Sequence, residues 1–140
     1  MILPYFMFCT EMGADLYQLK DGRFQIITKG KITPLMIGYG YTLVEKKFAE
    51  YLEHLNLPRL EIEDAIIYDP IDKNETTTHR QLKIGQHFSA DIIRDIDLEG
   101  ERLLLMNNRH VFASPKLKKR FEDSDFDYLR FSVGLSEFAS

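Results

Sequence analysis

Four histidines and one cysteine are the side chains of this 140-residue chain best suited to metal binding or nucleophilic chemistry. Neither set has the spacing that such chemistry uses. His54, His79, His87 and His110 are scattered, and His79 and His87 stand eight residues apart. A zinc site draws on closely spaced His or Cys pairs, so hydrogen-bonded or solvent-facing histidines are expected and no metal is. Cys9 lies in the apolar run Tyr5-Phe6-Met7-Phe8-Cys9, where a cysteine behaves as a small hydrophobe. A nucleophilic cysteine needs a neighbouring base and partial exposure. The chain has no G-x-S-x-G, no P-loop and no G-x-G-x-x-G. Gly38-Tyr39-Gly40 lacks the third glycine and reads as a flexible turn. No catalytic residue and no cofactor are therefore expected. Because triads are recognised by geometry and not by spacing, a small hydrolase acting through scattered Asp and His is the competing reading.

Carboxylates are the other abundant chemistry. They cluster at Glu61, Glu63 and Asp64; at Asp69, Asp72 and Glu75; between Asp91 and Glu101; and between Glu122 and Asp127. Asp69 and Asp72 imitate the start of a calcium loop, but the alternating carboxylates, the Gly and the closing Glu are missing. What remains is an acidic surface. Asp69, Asp72 and Glu75, with Asp64 nearby in sequence, are the candidate partner-binding residues, since electrostatic complementarity speeds association with a basic partner. The plainer alternative is a solvated face.

The elements that must hold these residues follow from pattern. Leu16–Leu19, the turn signal Lys20-Asp21-Gly22 and Arg23–Thr28 form a hairpin. Residues 32–41, punctuated by Pro34, Gly38 and Gly40, read as a loop or irregular strand. Residues 42–56 are the clearest helix. Thr42 and Glu45 have capping-box spacing, and Val44, Phe48, Tyr51, Leu52 and Leu55 share one face. Pro58 stops it. Residues 60–69 read as one strand that becomes buried at Ala65-Ile66-Ile67. Residues 69–78 are the most polar run and read as an exposed loop. Residues 81–84 and 90–98 look like short strands, with Ser89 as an alternative cap for a short helix from Ala90. Ser114-Pro115 has the N-cap and first-turn arrangement of a second, shorter helix over residues 115–121, with a basic outer face.

Composition sets the frame. The length suits a single domain spanning residues 1–140, with one core. Hydrophobic content of 44% and charged content of 29% are those of a globular chain. A net charge of −4 argues against a nucleic-acid partner. One cysteine excludes an internal disulfide, so a reducing cytoplasm is the default. The apolar start is too short to span a membrane, has no basic flank, and reads as a buried first strand. Two helices among strand-like segments with short turns favour an α+β fold: a mainly antiparallel sheet packed by one longer and one shorter helix. Core candidates are Phe6, Phe8, Phe24, Ile26, Phe48, Leu52, Ile66, Leu104, Phe112, Leu117, Phe121, Leu129 and Phe131.

The last forty residues carry a strand (102–106), the turn Asn107-Asn108, a second strand (110–114), the short basic helix and a last strand with Tyr128-Leu129-Arg130-Phe131. Together with Ala65-Ile66-Ile67-Tyr68-Asp69 and Arg80-Gln81-Leu82-Lys83-Ile84, this order resembles immunity proteins of bacterial polymorphic-toxin and type VI secretion systems. It is most similar to families first described only as domains of unknown function. The match covers about half the chain, from Leu60 onward, and consists of hydrophobic pattern without a chemical signature. The resemblance implies a cytoplasmic protein that binds a cognate toxin effector domain one-to-one and occludes its active site. It leaves open whether that toxin is a nuclease, an NAD-consuming enzyme or a hydrolase. A regulatory interaction domain without a toxin partner is the remaining alternative.

Overall fold

A computed structural model describes residues 2–138. The fold is α+β, with two α-helices and mostly antiparallel strands. The strands divide among three sheets. The five-stranded sheet contains β1 (Tyr5–Cys9), β10 (His87–Phe88), β11 (Leu103–Met106), β12 (His110–Ala113) and β13 (Leu129–Val133), in the order β10-β11-β12-β1-β13. A four-stranded sheet of order β4-β5-β9-β6 comprises β4 (Leu35–Gly38), β5 (Tyr41–Glu45), β6 (Leu60–Asp64) and β9 (His79–Ile84). The third, of order β2-β3-β7-β8, comprises β2 (Asp15–Gln18), β3 (Phe24–Thr28), β7 (Ile67–Asp69) and β8 (Asn74–Thr76). Among the described residues the β10–β11 and β3–β7 strand pairings are parallel, as is the isolated Gly13–Lys31 bridge, and the other pairings are antiparallel.

The β4-β5-β9-β6 sheet lies between the other two. Because strand side chains alternate, its two faces enter different apolar clusters. Leu35, Val44, Leu82 and Ile84 meet the helices and the five-stranded sheet. Met36, Tyr41 and Leu43 meet Leu16, Phe24 and Ile67 of the third sheet. A further cluster covers the far face of the five-stranded sheet, where Leu104, Met106 and Phe112 lie under Ile93, Ile96 and Leu98. The run Leu103-Leu104-Leu105-Met106 is thus buried on both sides.

Helix α1 spans Lys46–Leu55, not residues 42–56. Thr42 sits in β5 opposite Ile37 and is buried, so no capping box forms. The reason is tertiary. β5 is flanked by β4 and β9, and Tyr41–Val44 gain ladder hydrogen bonds and burial on both faces, which outweighs a local cap. Glu45 occupies the N-cap position without a side-chain cap. Asn56 ends the helix in the left-handed region, with φ 51°. Helix α2 spans Pro115–Glu122 with Pro115 in its first turn. Ser114 holds the cap position, but its hydroxyl donates to Gly100 O and accepts from Arg102 N–H, tying the loop before β11 to the helix.

Other segments depart from expectation in informative ways. Residues 32–41 contain β4 and the start of β5, joined by Tyr39-Gly40 with Gly40 at φ 81°. Residues 60–69 are two strands in different sheets, separated at Ala65-Ile66 as the chain crosses from one layer to the next. The polar run 69–78 is largely a hairpin, because β8 borrows its order from the backbone of β7. Residues 90–98 contain no strand. Ala90–Ile92 is a single 3-10 turn, and Ser89 donates to the Asp91 carboxylate instead of capping it. Of the core candidates, Phe6, Phe8, Ile26, Ile66 and Phe131 are half-buried and the rest are buried.

Phe48 is 0% exposed and meets the rings of Phe121 and Phe126 at centroid distances of 5.4 and 4.8 Å. Phe48→Ala should cost about 3–5 kcal/mol in urea unfolding, the range for truncating a buried aromatic. A loss under about 1 kcal/mol would show that this ring anchors nothing.

Candidate interaction surface

The four acidic residues singled out by sequence are distributed over two sheets. Asp69 closes the β7–β8 turn, its Oδ1 accepting the Ile71 and Asp72 amides at 2.9 and 3.3 Å. Glu75, on β8, accepts from Arg23 Nη1 at 3.1 Å. Asp72 is exposed at the turn. Asp64 ends β6 in the other four-stranded sheet, its side chain 97% exposed and its Oδ1 3.4 Å from Arg80 Nε. At that exposure the contact contributes little. Local turn chemistry and Arg23, just ahead of β3, therefore already engage Asp69 and Glu75, which leaves Asp72 as the hairpin carboxylate freest to meet a partner.

The histidines have structural surroundings. His79 is 4% exposed, with Nε2 2.7 Å from Thr33 O and Nδ1 2.9 Å from Thr78 Oγ1. A carbonyl only accepts, so Nε2 carries the proton and Nδ1 accepts from the threonine. The neutral ring satisfies both bonds, and burial holds its pKa below the usual 6.5. His110 is likewise lowered, by burial and then by Arg109. Cys9 and His110 line one cleft of about 250 Å³. Their side chains nonetheless leave opposite faces of the five-stranded sheet. Cys9 packs with the cluster that includes Met7, while His110 stacks edge-on against Phe6. A thiol and a base so separated cannot share a proton. Among the described residues, no group of three or more His, Cys, Asp or Glu side chains is placed to hold a metal ion.

Tyr128 supplies a half-buried polar tie, its hydroxyl donating to Glu45 Oε1 at 3.3 Å. Burial, and then the Glu45 charge, push its pKa upward, so the phenol stays protonated.

The exposed apolar residues are more telling. Tyr17 of β2, Ile27 of β3 and Tyr39 at the β4–β5 turn are 62%, 58% and 72% exposed, and all three line one concavity of about 480 Å³. The adjoining 250 Å³ cleft is lined by Met12, which is 94% exposed, together with Phe8 and Ile37. Asp15 and Arg109 line both concavities and join them. Tyr41 props this surface from beneath, its hydroxyl accepting the Leu16 N–H at 3.2 Å. Tyrosine, methionine and arginine are the types enriched at protein interfaces, and apolar side chains gathered around one concavity mark an interaction site better than scattered ones do. Sequence patterning passed over these residues. The available signal was Tyr39, a large aromatic between two glycines in a turn that small polar residues usually fill.

No protein-family model, curated protein or solved structure matches the chain. Among the described residues no helix is long and apolar enough to cross a membrane.

A pH dependence follows from the two lowered histidines. Their folded-state pKa values lie below the usual 6.5, so the unfolded chain binds more protons in that window. The stability they contribute is present above about pH 6.5 and is lost as pH falls through the folded values. Thermal unfolding at pH 7 and pH 5 should show a smaller drop for a His79→Gln, His110→Gln double variant than for the parent chain. An equal drop would assign the pH dependence to other groups.

Proposed function

We propose that this chain is a stoichiometric inhibitor of the immunity type. It binds the toxin domain made by the same cell, one-to-one and in the cytoplasm, and covers that toxin's active site. The observation that carries this reading is the joined surface of Met12, Tyr17, Ile27 and Tyr39, with Arg109 between its two concavities. The order of elements from Leu60 onward, similar to immunity families, gives that surface its kind of partner. Tyrosines on such a surface act as anchors, each filling a depression on the partner at low cost in conformational entropy.

The acidic hairpin has a secondary part in this proposal. Asp72, with Asp69 and Glu75 behind it, sits where charge steers approach instead of where binding energy is made. Rim charges of this sort change the association rate and its salt dependence. Asp64, on another sheet, adds to the same negative field. The competing hydrolase reading loses the Cys9 and His110 pair, whose side chains leave opposite faces of their sheet.

The test is co-purification with the product of a neighbouring toxin gene, followed by protection of cells that express it. A Tyr17→Ala, Tyr39→Ala double variant should bind that product at least about 30-fold more weakly, as loss of one strong anchor would cause (about 2 kcal/mol). Changing Asp69, Asp72 and Glu75 together to Ala should lower the on-rate at low salt by up to about tenfold and leave the off-rate nearly unchanged. Full protection by the tyrosine variant would remove the apolar surface from the interface. Failure of the parent chain to bind or protect would end the immunity reading.

A further inference from the structure

We propose that the cleft between β13 and α2 is a docking groove for an extended peptide segment, apolar at its centre and acidic at its ends, which pairs with β13 as an added strand. This site shares no lining residue with the Met12–Tyr39 surface and does not depend on the inhibitory reading.

The backbone makes the first argument. Among the described residues β13 is the end strand of its sheet and pairs only with β1. Gly134 N–H donates to Pro4 O at 2.8 Å and Thr10 N–H donates to Tyr128 O at 3.1 Å. Antiparallel alternation between those bonds turns Arg130 and Ser132 toward β1, and Leu129, Phe131 and Val133 outward. The outward row is closed at its ends. Leu129 O accepts from Arg130 Nη1 at 2.8 Å, Leu129 N–H reaches Phe126 O at 3.4 Å, and Val133 O accepts the Ser136 amide at 3.2 Å. Among the described residues this leaves the N–H and C=O of Phe131 and the N–H of Val133 without protein partners. A donor, an acceptor and a donor in that order are what an extended backbone satisfies.

Side chains make the second argument. The cross-strand register places Tyr5 beside Val133 and Met7 beside Phe131, so Tyr5, Phe131 and Val133 share the face on which α2 lies. A cleft of about 500 Å³ there is lined by Phe121, Phe126 and Phe131. A second of about 390 Å³, lined by Leu3, Leu98 and Pro115, continues past Val133, and both include Tyr5. A strand added to β13 would direct every second side chain into this trough.

Charge selects the occupant. The walls carry Lys116, Lys118 and Arg130 against Glu122 and Asp127, a cationic excess within a chain of net charge −4. Lys118 Nζ lies 4.7 Å above the Tyr5 ring and 3.0 Å from Glu122. Among the described residues Lys116 and Arg130, at opposite ends, pair with no carboxylate. An acidic residue at each end of the segment would complement them.

The probe is a fluorescein-labelled octapeptide, Asp-Glu-Val-Phe-Val-Thr-Glu-Asp, titrated with the full chain by fluorescence anisotropy. Saturable binding is expected. Val133→Pro, which deletes an outward amide that an edge strand can lose, should weaken it about tenfold or more, while Val133→Ala should change it about twofold or less. N-methylation of the peptide's Phe should have the same effect as the proline, with the protein unaltered. A version with lysine in place of each acid should bind at least about tenfold more weakly. The assignment is overturned by any of four results: no binding at about 1 mM, equal affinity of the Pro and Ala variants, equal affinity of the lysine peptide, or dimerisation of the chain through β13 that excludes the peptide.

Discussion

Leu43 and Val44 are adjacent in β5, and both are fully buried. Neighbouring side chains in a strand point to opposite faces, so the sheet that contains them must be covered on both sides. That requirement organises the molecule. One cover is the third sheet, which brings Leu16, Phe24 and Ile67 against Leu43. The other is α1, α2 and the five-stranded sheet, which bring Phe48, Phe121 and Met7 toward Val44. A chain of this length has few residues to spare for two covers, and it economises by letting a single sheet separate two clusters.

Layers stacked this way leave strand edges to be managed, since an unpaired edge invites association. Here several edges are closed by side chains. Tyr41 takes the outward amide of Leu16 on β2, and Arg130 takes the carbonyl of Leu129 on β13. Polar ties fix the layers against one another by similar means. His79 joins β9 to the segment ahead of β4, and Tyr128 joins the five-stranded sheet to the start of α1. Such bonds lie in low dielectric and hold geometry firmly, because leaving either partner unpaired would be costly. The surface built on β2, β3 and the β4–β5 turn is therefore presented by a braced frame.

Local chemistry was readable from sequence wherever a few adjacent residues determine the backbone. Asn107-Asn108 adopts positive φ at both positions, and Ser114-Pro115 begins α2. The hairpin of β2 and β3 likewise follows from Lys20-Asp21-Gly22. Thr42 and Glu45 misled because their helical spacing coincided with a strand that owes its existence to neighbours on both sides. The polar run from Asp69 misled for the opposite reason: its composition lacks an apolar face, yet β8 is ordered by pairing with β7 and by the Arg23–Glu75 contact. The Met12, Tyr17, Ile27 and Tyr39 surface was hidden because exposure is a tertiary property. In sequence, Tyr17 and Ile27 are indistinguishable from the inward residues Leu16 and Ile26 beside them.

The carboxylates show why net charge is an incomplete guide to a binding face. Glu75 and Asp21 share Arg23, Glu63 meets Lys83, Glu101 holds Arg120 through two oxygens, and Asp69 is occupied by its own turn. Each of these acids contributes to the long-range field while its hydrogen-bonding capacity is partly spent within the chain. Long-range field and short-range contact are therefore carried by different residues. Acids scattered over several elements set the sign of the potential that an approaching molecule feels, which acts over roughly a Debye length, near 8 Å at physiological salt. Contact energy must come from groups that lose water without losing a partner. Tyr17, Ile27 and Tyr39 meet that condition because their exposed area is mostly ring and aliphatic carbon, so covering them removes apolar surface from water and breaks no internal bond.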